Sequence, residues 1–218
     1  VVLDSGERFA GERLLVAIGR KPHTDELGLE NVGLAPGEYI EVDDHLQVKG
    51  GDGLYAIGDV NGRSLLTHSG KYQARIAADH ILGRDARATS DVPGAPRVIF
   101  TDPQVAAVGL TLQAARDSGI EATAIDLETS RSAGASFYGR NGPGTSRFVV
   151  DTDREVLVGV TFVGPTVAEF LHAATIAVVG AVPLRTIAHA VAPFPTRSEL
   201  WLNFVEAYET ELGTSLHA

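Results

Sequence analysis

The chain has 218 residues, of which 44% are hydrophobic, so it is long and apolar enough for one or two domains with a core. Its 18 basic and 28 acidic side chains give a formal net charge of −10, which argues against nucleic-acid binding because phosphates are repelled. It contains no cysteine, which excludes disulfides and metal-thiolate sites in this stretch. No apolar run approaches the roughly 20 residues of a membrane-spanning helix, and no signal segment opens the chain. We therefore expect a cytoplasmic protein that binds no membrane.

Residues 1–92 contain pieces of an α/β pattern that are too few to close a sheet. The apolar runs predict two strands in residues 1–22 and one at Gly53–Gly58. Helical spacing then predicts a helix from Leu65 to Leu82, which Gly83 ends. The core-facing candidates of this helix are Tyr72, Ile76 and Ile81.

A connector with prolines and a glycine, Asp91–Pro96, separates this part from residues 97–218. The later part alternates short β-branched runs with amphipathic segments. The predicted strands are Val98–Phe100, Val105–Val108, Ile120–Leu127, Arg147–Asp151 and Val156–Val163, and the predicted helices are Leu112–Ser118, Val167–Val179, Pro183–His189 and about Arg197–Leu212. This order predicts an α+β fold in which helices back an antiparallel sheet.

Gly58 and Asp59 form the stretch most indicative of function. Leu54–Ile57 is a short apolar run that delivers the Asp59 carboxylate into a tight turn, and Gly58 allows a close backbone approach. Two acceptor oxygens at a strand end suit the hydroxyl groups of a ribose or ribityl chain. The alternative is that Asp59 only caps the turn that follows.

Four further motifs stand in one order along the chain. They are Leu14–Pro22, Phe100–Leu110, Thr145–Gly164 and Pro193–Glu199. With the Gly-Asp turn, they resemble the carboxy-terminal portion of the class I pyridine nucleotide-disulfide oxidoreductases, the flavoenzyme family of glutathione reductase, dihydrolipoamide dehydrogenase and mercuric reductase. The resemblance implies a C-terminal interface (dimerisation) domain over residues 97–218. It also implies that residues 1–92 are remnants of the NAD(P)- and FAD-binding α/β domains.

The same resemblance implies FAD as the cofactor of a longer parent protein and NAD(P)H as its co-substrate. It implies FAD contacts at Gly58 and Asp59, and at Thr67 and His68, where a helix start faces the flavin. For His68, the alternative is an ordinary solvent-exposed residue in a first helical turn. The G-x-G-x-x-G turns and the redox cysteine pair of the family are absent, so we expect a fragment of a longer flavoprotein. No histidine spacing indicates a metal site, and none is predicted.

The closing motif departs from the family at one residue. In the enzymes that the chain resembles, a His-Pro-Thr-x-Ser-Glu motif reaches the flavin of the partner subunit, and the glutamate orients the histidine. Phe194 stands at the place of the histidine, and a phenyl ring neither donates nor accepts a proton. Glu199 is the remaining catalytic candidate. Its alternative role is structural, in a capping box with Thr196.

Two functional hypotheses follow. In the first, the parent is a cytoplasmic, homodimeric, FAD-dependent NAD(P)H oxidoreductase that passes hydride through flavin to a small acceptor, such as a quinone, without a histidine base. In the second, this chain is a dimerisation fragment that binds no cofactor and catalyses nothing by itself.

Overall fold

The computed structural model describes residues 1–51, 53–138 and 144–217, without the side chains of Ser136 and Tyr138. Its main feature is an antiparallel sheet of five strands in the order β1-β2-β5-β4-β3. The strands are β1 (Arg97–Ile99), β2 (Gln104–Gly109), β3 (Ala122–Glu128), β4 (Thr145–Asp151) and β5 (Val156–Gly164). With the helices that pack on this sheet, the predicted α+β fold class is confirmed.

The sheet is centred on one hairpin. β4 and β5 form the central hairpin, whose register shifts by a bulge between Val149 and Val150. β3 pairs with the free edge of β4, and β2 pairs with the free edge of β5. Each of these strands is rich in β-branched residues, which suit a pleated surface that is buried on at least one side.

The helices are α1 (Thr67–Ile81), α2 (Leu112–Asp117), α3 (Leu171–Val179), α4 (Leu184–His189) and α5 (Glu199–Leu212). Thr111 caps α2, because its hydroxyl accepts from the Ala114 N–H at 3.1 Å. The helix predicted over Val167–Val179 forms in two parts, a 3₁₀ turn at Val167–Phe170 followed by α3. None of the helices in the described residues is long and apolar enough to cross a membrane.

The core of the sheet region contains a cluster of aromatic rings that packs under α5. The Phe148 ring stacks on Phe204 with the centroids 4.3 Å apart, and it meets the edge of Phe162 at 5.7 Å. Phe148, Phe162 and Phe204 are each fully buried. The predicted apolar face of the last helix is confirmed, since Leu200, Phe204, Val205 and Tyr208 are buried and Trp201 packs against them.

A second, smaller apolar cluster lies within residues 29–88, around Leu46, Val48 and Ala77. The helix predicted over residues 65–82 is confirmed as α1, and Tyr72 and Ile76 pack on this cluster. The prediction for Ile81 is wrong. Its side chain is exposed, because it is the last residue of α1 and lies beyond the packed face.

The strands predicted in residues 1–22 and at Gly53–Gly58 do not form. Residues 1–22 contain a single bridge, Val2 to Arg8, and Tyr55 makes a single bridge to Gln47. The apolar residues Leu15 and Ile18 are 89% and 94% exposed. A β-strand needs a neighbouring strand for its N–H and C=O groups, and none of the described residues supplies one for residues 14–18.

Candidate functional site

The Gly58-Asp59 pair lies in a short 3₁₀ turn, Gly58–Asn61, that packs against α1. Gly58 has φ 76°, a left-handed conformation that favours glycine, and a Cβ there would meet no atom within 4 Å. The turn and the helix approach closely, because a Cβ on Gly70 would lie 3.3 Å from the Gly58 Cα. The Asp59 side chain is 58% exposed.

Arg20 joins the carboxylate to the start of α1. One guanidinium nitrogen, Nη1, donates to Asp59 Oδ2 at 3.1 Å and to the Leu65 carbonyl at 2.9 Å. The sequence prediction of the site did not include Arg20. The signal that could have identified it is its place in the Leu14–Pro22 motif, directly after Gly19. Because the Arg20–Asp59 pair is exposed, its contribution to stability is at most about 1 kcal/mol. Its main effect is to position the Asp59 carboxylate.

The amino-terminal end of α1 is open. Leu66 is its N-cap and makes no side-chain capping hydrogen bond, and Thr67 and His68 are exposed. The first amides of an α-helix have no carbonyl partner within the helix, and they carry partial positive charge. His68 Nε2 lies 2.8 Å from the Pro96 carbonyl, so Nε2 carries the hydrogen in this contact.

The structure therefore brings the four predicted residues Gly58, Asp59, Thr67 and His68 into two adjacent segments. An exposed carboxylate acceptor is joined through Arg20 to the start of a helix whose first residues are exposed. This combination fits a ligand that has both hydroxyl groups and carbonyl oxygens, as flavin nucleotides do. The described residues contain no group of three or more His, Cys, Asp or Glu side chains that could hold a metal ion.

The motif at residues 193–199 joins α4 to α5. The Phe194 side chain is 78% exposed. A cavity of about 360 Å³ opens between α3, α4 and α5, and Pro193, Ser198 and Trp201 lie in its wall. Its lining is mainly apolar, so it offers few groups that could bind a polar ligand.

The predicted capping box at the start of α5 does not form. Ser198 is the N-cap, which makes Glu199 the first helical residue instead of the third. Thr196 Oγ1 donates to the Pro193 carbonyl at 2.6 Å instead of accepting from the helix. Glu199 Oε2 is buried and has no hydrogen-bond partner among the described residues.

Solved structures of two other proteins share the fold of this chain. The chain superposes on LpdA from Mycobacterium tuberculosis with a TM-score of 0.81 and 27% sequence identity, over 96% of this chain and 45% of that one. It superposes on the HOCl-induced flavoprotein disulfide reductase RclA from Escherichia coli with a TM-score of 0.74 and 25% identity, over 86% and 43% of the two chains.

Sequence comparison identifies the family. The profile of the pyridine nucleotide-disulphide oxidoreductase dimerisation domain matches residues 95–204, and a second profile of the same family matches residues 1–78. The dihydrolipoyl dehydrogenase of Thermus scotoductus is 33% identical over 205 residues, which is 93% of this chain and 43% of that protein. The chain belongs to the pyridine nucleotide-disulphide oxidoreductase family. It spans less than half the length of the curated relatives that it matches.

Proposed function

We propose that the chain is the carboxy-terminal part of an FAD-dependent NAD(P)H oxidoreductase that reduces a small acceptor without a histidine acid-base group. The observation that carries this proposal is the single Arg20 nitrogen that holds the Asp59 carboxylate beside the start of α1. Enzymes of this family depend on FAD and use NAD(P)H. FAD, when bound, supplies hydride transfer between NAD(P)H and the acceptor.

Each of the four predicted cofactor-binding residues has a role in this proposal. Asp59 would accept from hydroxyl groups of the cofactor, and Gly58 keeps the turn free of a side chain. The exposed backbone at Thr67 and His68 presents amides and the positive end of α1 to carbonyl oxygens and developing negative charge.

The 194–199 motif supports an acceptor that needs no proton from the protein. Phe194 presents a phenyl ring at the position where the family that the sequence resembles has its histidine. Glu199 has one buried carboxylate oxygen that makes no hydrogen bond among the described residues, so through that oxygen it orients no neighbouring proton carrier. A quinone fits these limits, because its oxygens can take protons from water.

A homodimer is part of the same proposal, since residues 95–204 match a dimerisation domain. α3 presents Ile176 and Val179 to solvent, and the segment after α4 presents Val191. A second copy that covers this apolar surface would remove it from water. The cytoplasmic location and the lack of nucleic-acid and membrane partners stay predictions from composition.

The test uses the parent enzyme as isolated from its source. We expect a bound-flavin absorption spectrum and NAD(P)H-dependent reduction of a quinone, with little activity on a disulfide substrate. Phe194→His, which restores a proton carrier, should leave quinone reduction unchanged. Efficient disulfide reduction with Phe194 in place would contradict the proposal, because loss of acid-base catalysis costs about a hundredfold or more in rate.

A second candidate function is a dimerisation fragment that binds no cofactor by itself. The exposed run at residues 14–18 and the missing strand pairing in residues 1–22 favour it. A native mass spectrum of the 218-residue chain tests it. A dimer without flavin supports this second candidate, and FAD retained by the chain excludes it.

A further inference from the structure

Gln73 has a fully buried side chain whose amide is satisfied at both ends. It lies on α1 and is 0% exposed. Its Oε1 accepts from the Gly58 N–H at 2.7 Å and from Asn61 Nδ2 at 2.9 Å. Its Nε2 donates to Asp91 Oδ2 at 2.8 Å. Because two donors meet Oε1 and a carboxylate meets Nε2, these partners fix which way the amide points.

The two donors to Gln73 are the first and the last residue of the turn that carries Asp59. Asn61 Nδ2 also donates to the Ala56 carbonyl at 3.0 Å, which ties the turn to the segment before it. The turn is thus held to α1 at both ends by one oxygen atom. The direction of the Asp59 carboxylate therefore depends on Gln73, although Gln73 is buried beneath the surface where Asp59 is exposed.

Asp91 fixes the other end of the Gln73 amide. Its side chain is fully buried, and Arg63 donates to it twice, from Nε to Oδ2 at 2.9 Å and from Nη2 to Oδ1 at 3.0 Å. Burial lowers the pKa of Arg63, but the hydrogen bonds and charges of Asp91 and Asp44 outweigh this effect and raise the pKa above its ordinary value. The Asp91 charge is thus compensated inside the protein.

Asp91 also lies in the connector between α1 and β1. A chain of hydrogen bonds therefore runs from the connector through Gln73 to the Gly58–Asn61 turn. Paired buried polar groups of this kind fix a unique geometry, because any rearrangement leaves one of them without a partner.

We propose that Gln73 is a positioning residue for the cofactor turn, and that Asp91 sets it by fixing the Gln73 amide. This inference rests on the proposed function, namely that FAD binds at Gly58 and Asp59. Gln73 acts through the Gly58 N–H and not by contact with the cofactor. The connector that leads into the sheet is then coupled to FAD binding.

The test compares two single variants and their combination in the parent flavoprotein with FAD bound. Gln73→Glu keeps acceptor oxygens for Gly58 and Asn61 but sets a second carboxylate against Asp91. Asp91→Asn replaces one of the two carboxylate oxygens that accept from Gln73 Nε2 and Arg63 with an NH2 donor, so these donors no longer all have an acceptor. We expect each to weaken FAD binding by about tenfold or more, since contacting residues couple by amounts of this size. Each should also shift the midpoint potential of the flavin that stays bound.

The double variant, Gln73→Glu with Asp91→Asn, exchanges donor and acceptor and leaves the total charge unchanged. We expect it to recover most of the FAD affinity that either single variant loses. If both single variants bind FAD weakly and the double variant does not recover FAD affinity, the coupling between Asp91 and Gln73 is overturned.

Thr129→Val is the matched control, because it removes a buried hydroxyl pair with Ser146 (2.8 Å) in the sheet region. It should lower the melting temperature and leave the FAD dissociation constant and the flavin potential unchanged. If Gln73→Glu and Asp91→Asn behave like this control, their role is only structural and the inference is overturned. Absence of FAD from the unmutated parent would instead overturn the proposed function, and this inference with it.

Discussion

The sheet region, residues 97–217, and the amino-terminal region, residues 1–92, differ in where their backbone hydrogen bonds go. In the sheet region, five strands pair with one another. In the amino-terminal region, the described residues form isolated bridges and one α-helix. Both regions contain apolar, β-branched runs. An apolar, β-branched run therefore becomes a strand only where a neighbouring strand can form hydrogen bonds with its backbone.

Their interiors differ as well. The sheet region buries stacked aromatic rings, such as Phe148 and Phe204. The amino-terminal region buries aliphatic side chains beside a polar network of Arg63, Gln73 and Asp91. Hydrophobic burial tolerates small shifts in geometry, whereas a buried polar network does not. We therefore expect different substitutions to destabilise the two regions.

The largest expected difference is in hydrogen exchange. We expect amides of residues 14–18 to exchange almost freely and amides of Phe148–Val150 to open only with global unfolding. The free energies of opening should then differ by about 5 kcal/mol or more. Exchange followed by mass spectrometry or NMR measures this. Protection of residues 14–18 in the 218-residue chain would mean that these residues find a strand partner, and the contrast would disappear.

The next effect is in the aromatic core. Phe148→Ala should lower the free energy of unfolding of the sheet region by about 3–5 kcal/mol, because it leaves a cavity between Phe162 and Phe204. Denaturant unfolding measures the change. Phe100→Ala, at a ring that is 77% exposed, is the matched control and should change stability by less than about 0.5 kcal/mol. Equal losses in the two variants would contradict the position of the core.

In the amino-terminal region, Arg63→Ala should cause a large loss of folding stability. It leaves the Asp91 carboxylate buried without its bidentate partner, at an expected cost of about 3 kcal/mol or more. The matched control is Arg20→Ala, which breaks the exposed pair with Asp59 and should cost less than about 1 kcal/mol. Thermal unfolding of the two variants separates these outcomes, and a mild Arg63→Ala would show that Asp91 reaches water.

The smallest effect is a pH dependence at the sheet surface. Hydrogen bonds from Arg147 on β4 to Asp126 on β3 lower the pKa of Asp126, and the opposite charge adds to this while partial burial opposes it. A lowered folded-state pKa means stability that is present above the unfolded value of about 3.9 and is lost as pH falls through the folded value. The stability difference between wild type and Asp126→Asn should thus shrink in acid. A difference that stays constant from neutral pH to below pH 3 would contradict this.

Much of the sheet region was predictable because its signals are local. The α2 cap at Thr111 and the apolar spacing of α5 depend on residues a few positions apart. The hairpin of β4 and β5 likewise joins neighbouring segments. In the amino-terminal region, the two strands predicted in residues 1–22 did not form, and the apolar run at residues 14–18 has no strand partner among the described residues.

The sequence predicted the candidate cofactor-binding residues but not the residues that hold them in position. The Gly58-Asp59 pair and the start of α1 stand out in the sequence, whereas Arg20 and Gln73 do not. A signal for Gln73 exists in retrospect, since it is a polar residue on the buried face of α1 with Ser69 and Ala77. The capping box at Thr196 and Glu199 shows the reverse case. Its spacing is correct, but α5 begins at Glu199, so the reciprocal bonds cannot form.

The helices, the strand segments of the sheet region and the Gly-Asp turn were predictable from the sequence alone. Periodicity, capping and turn preferences act over a few residues, and a sequence displays them directly. Tertiary structure alone decided which apolar runs pair, and how Asp59 and the start of α1 meet. The contact between Arg20 and Asp59 joins residues 39 positions apart, and that between Gln73 and Asp91 joins residues 18 apart. Such partners are chosen by the folded backbone, because burial leaves each polar group only the neighbours that the fold supplies.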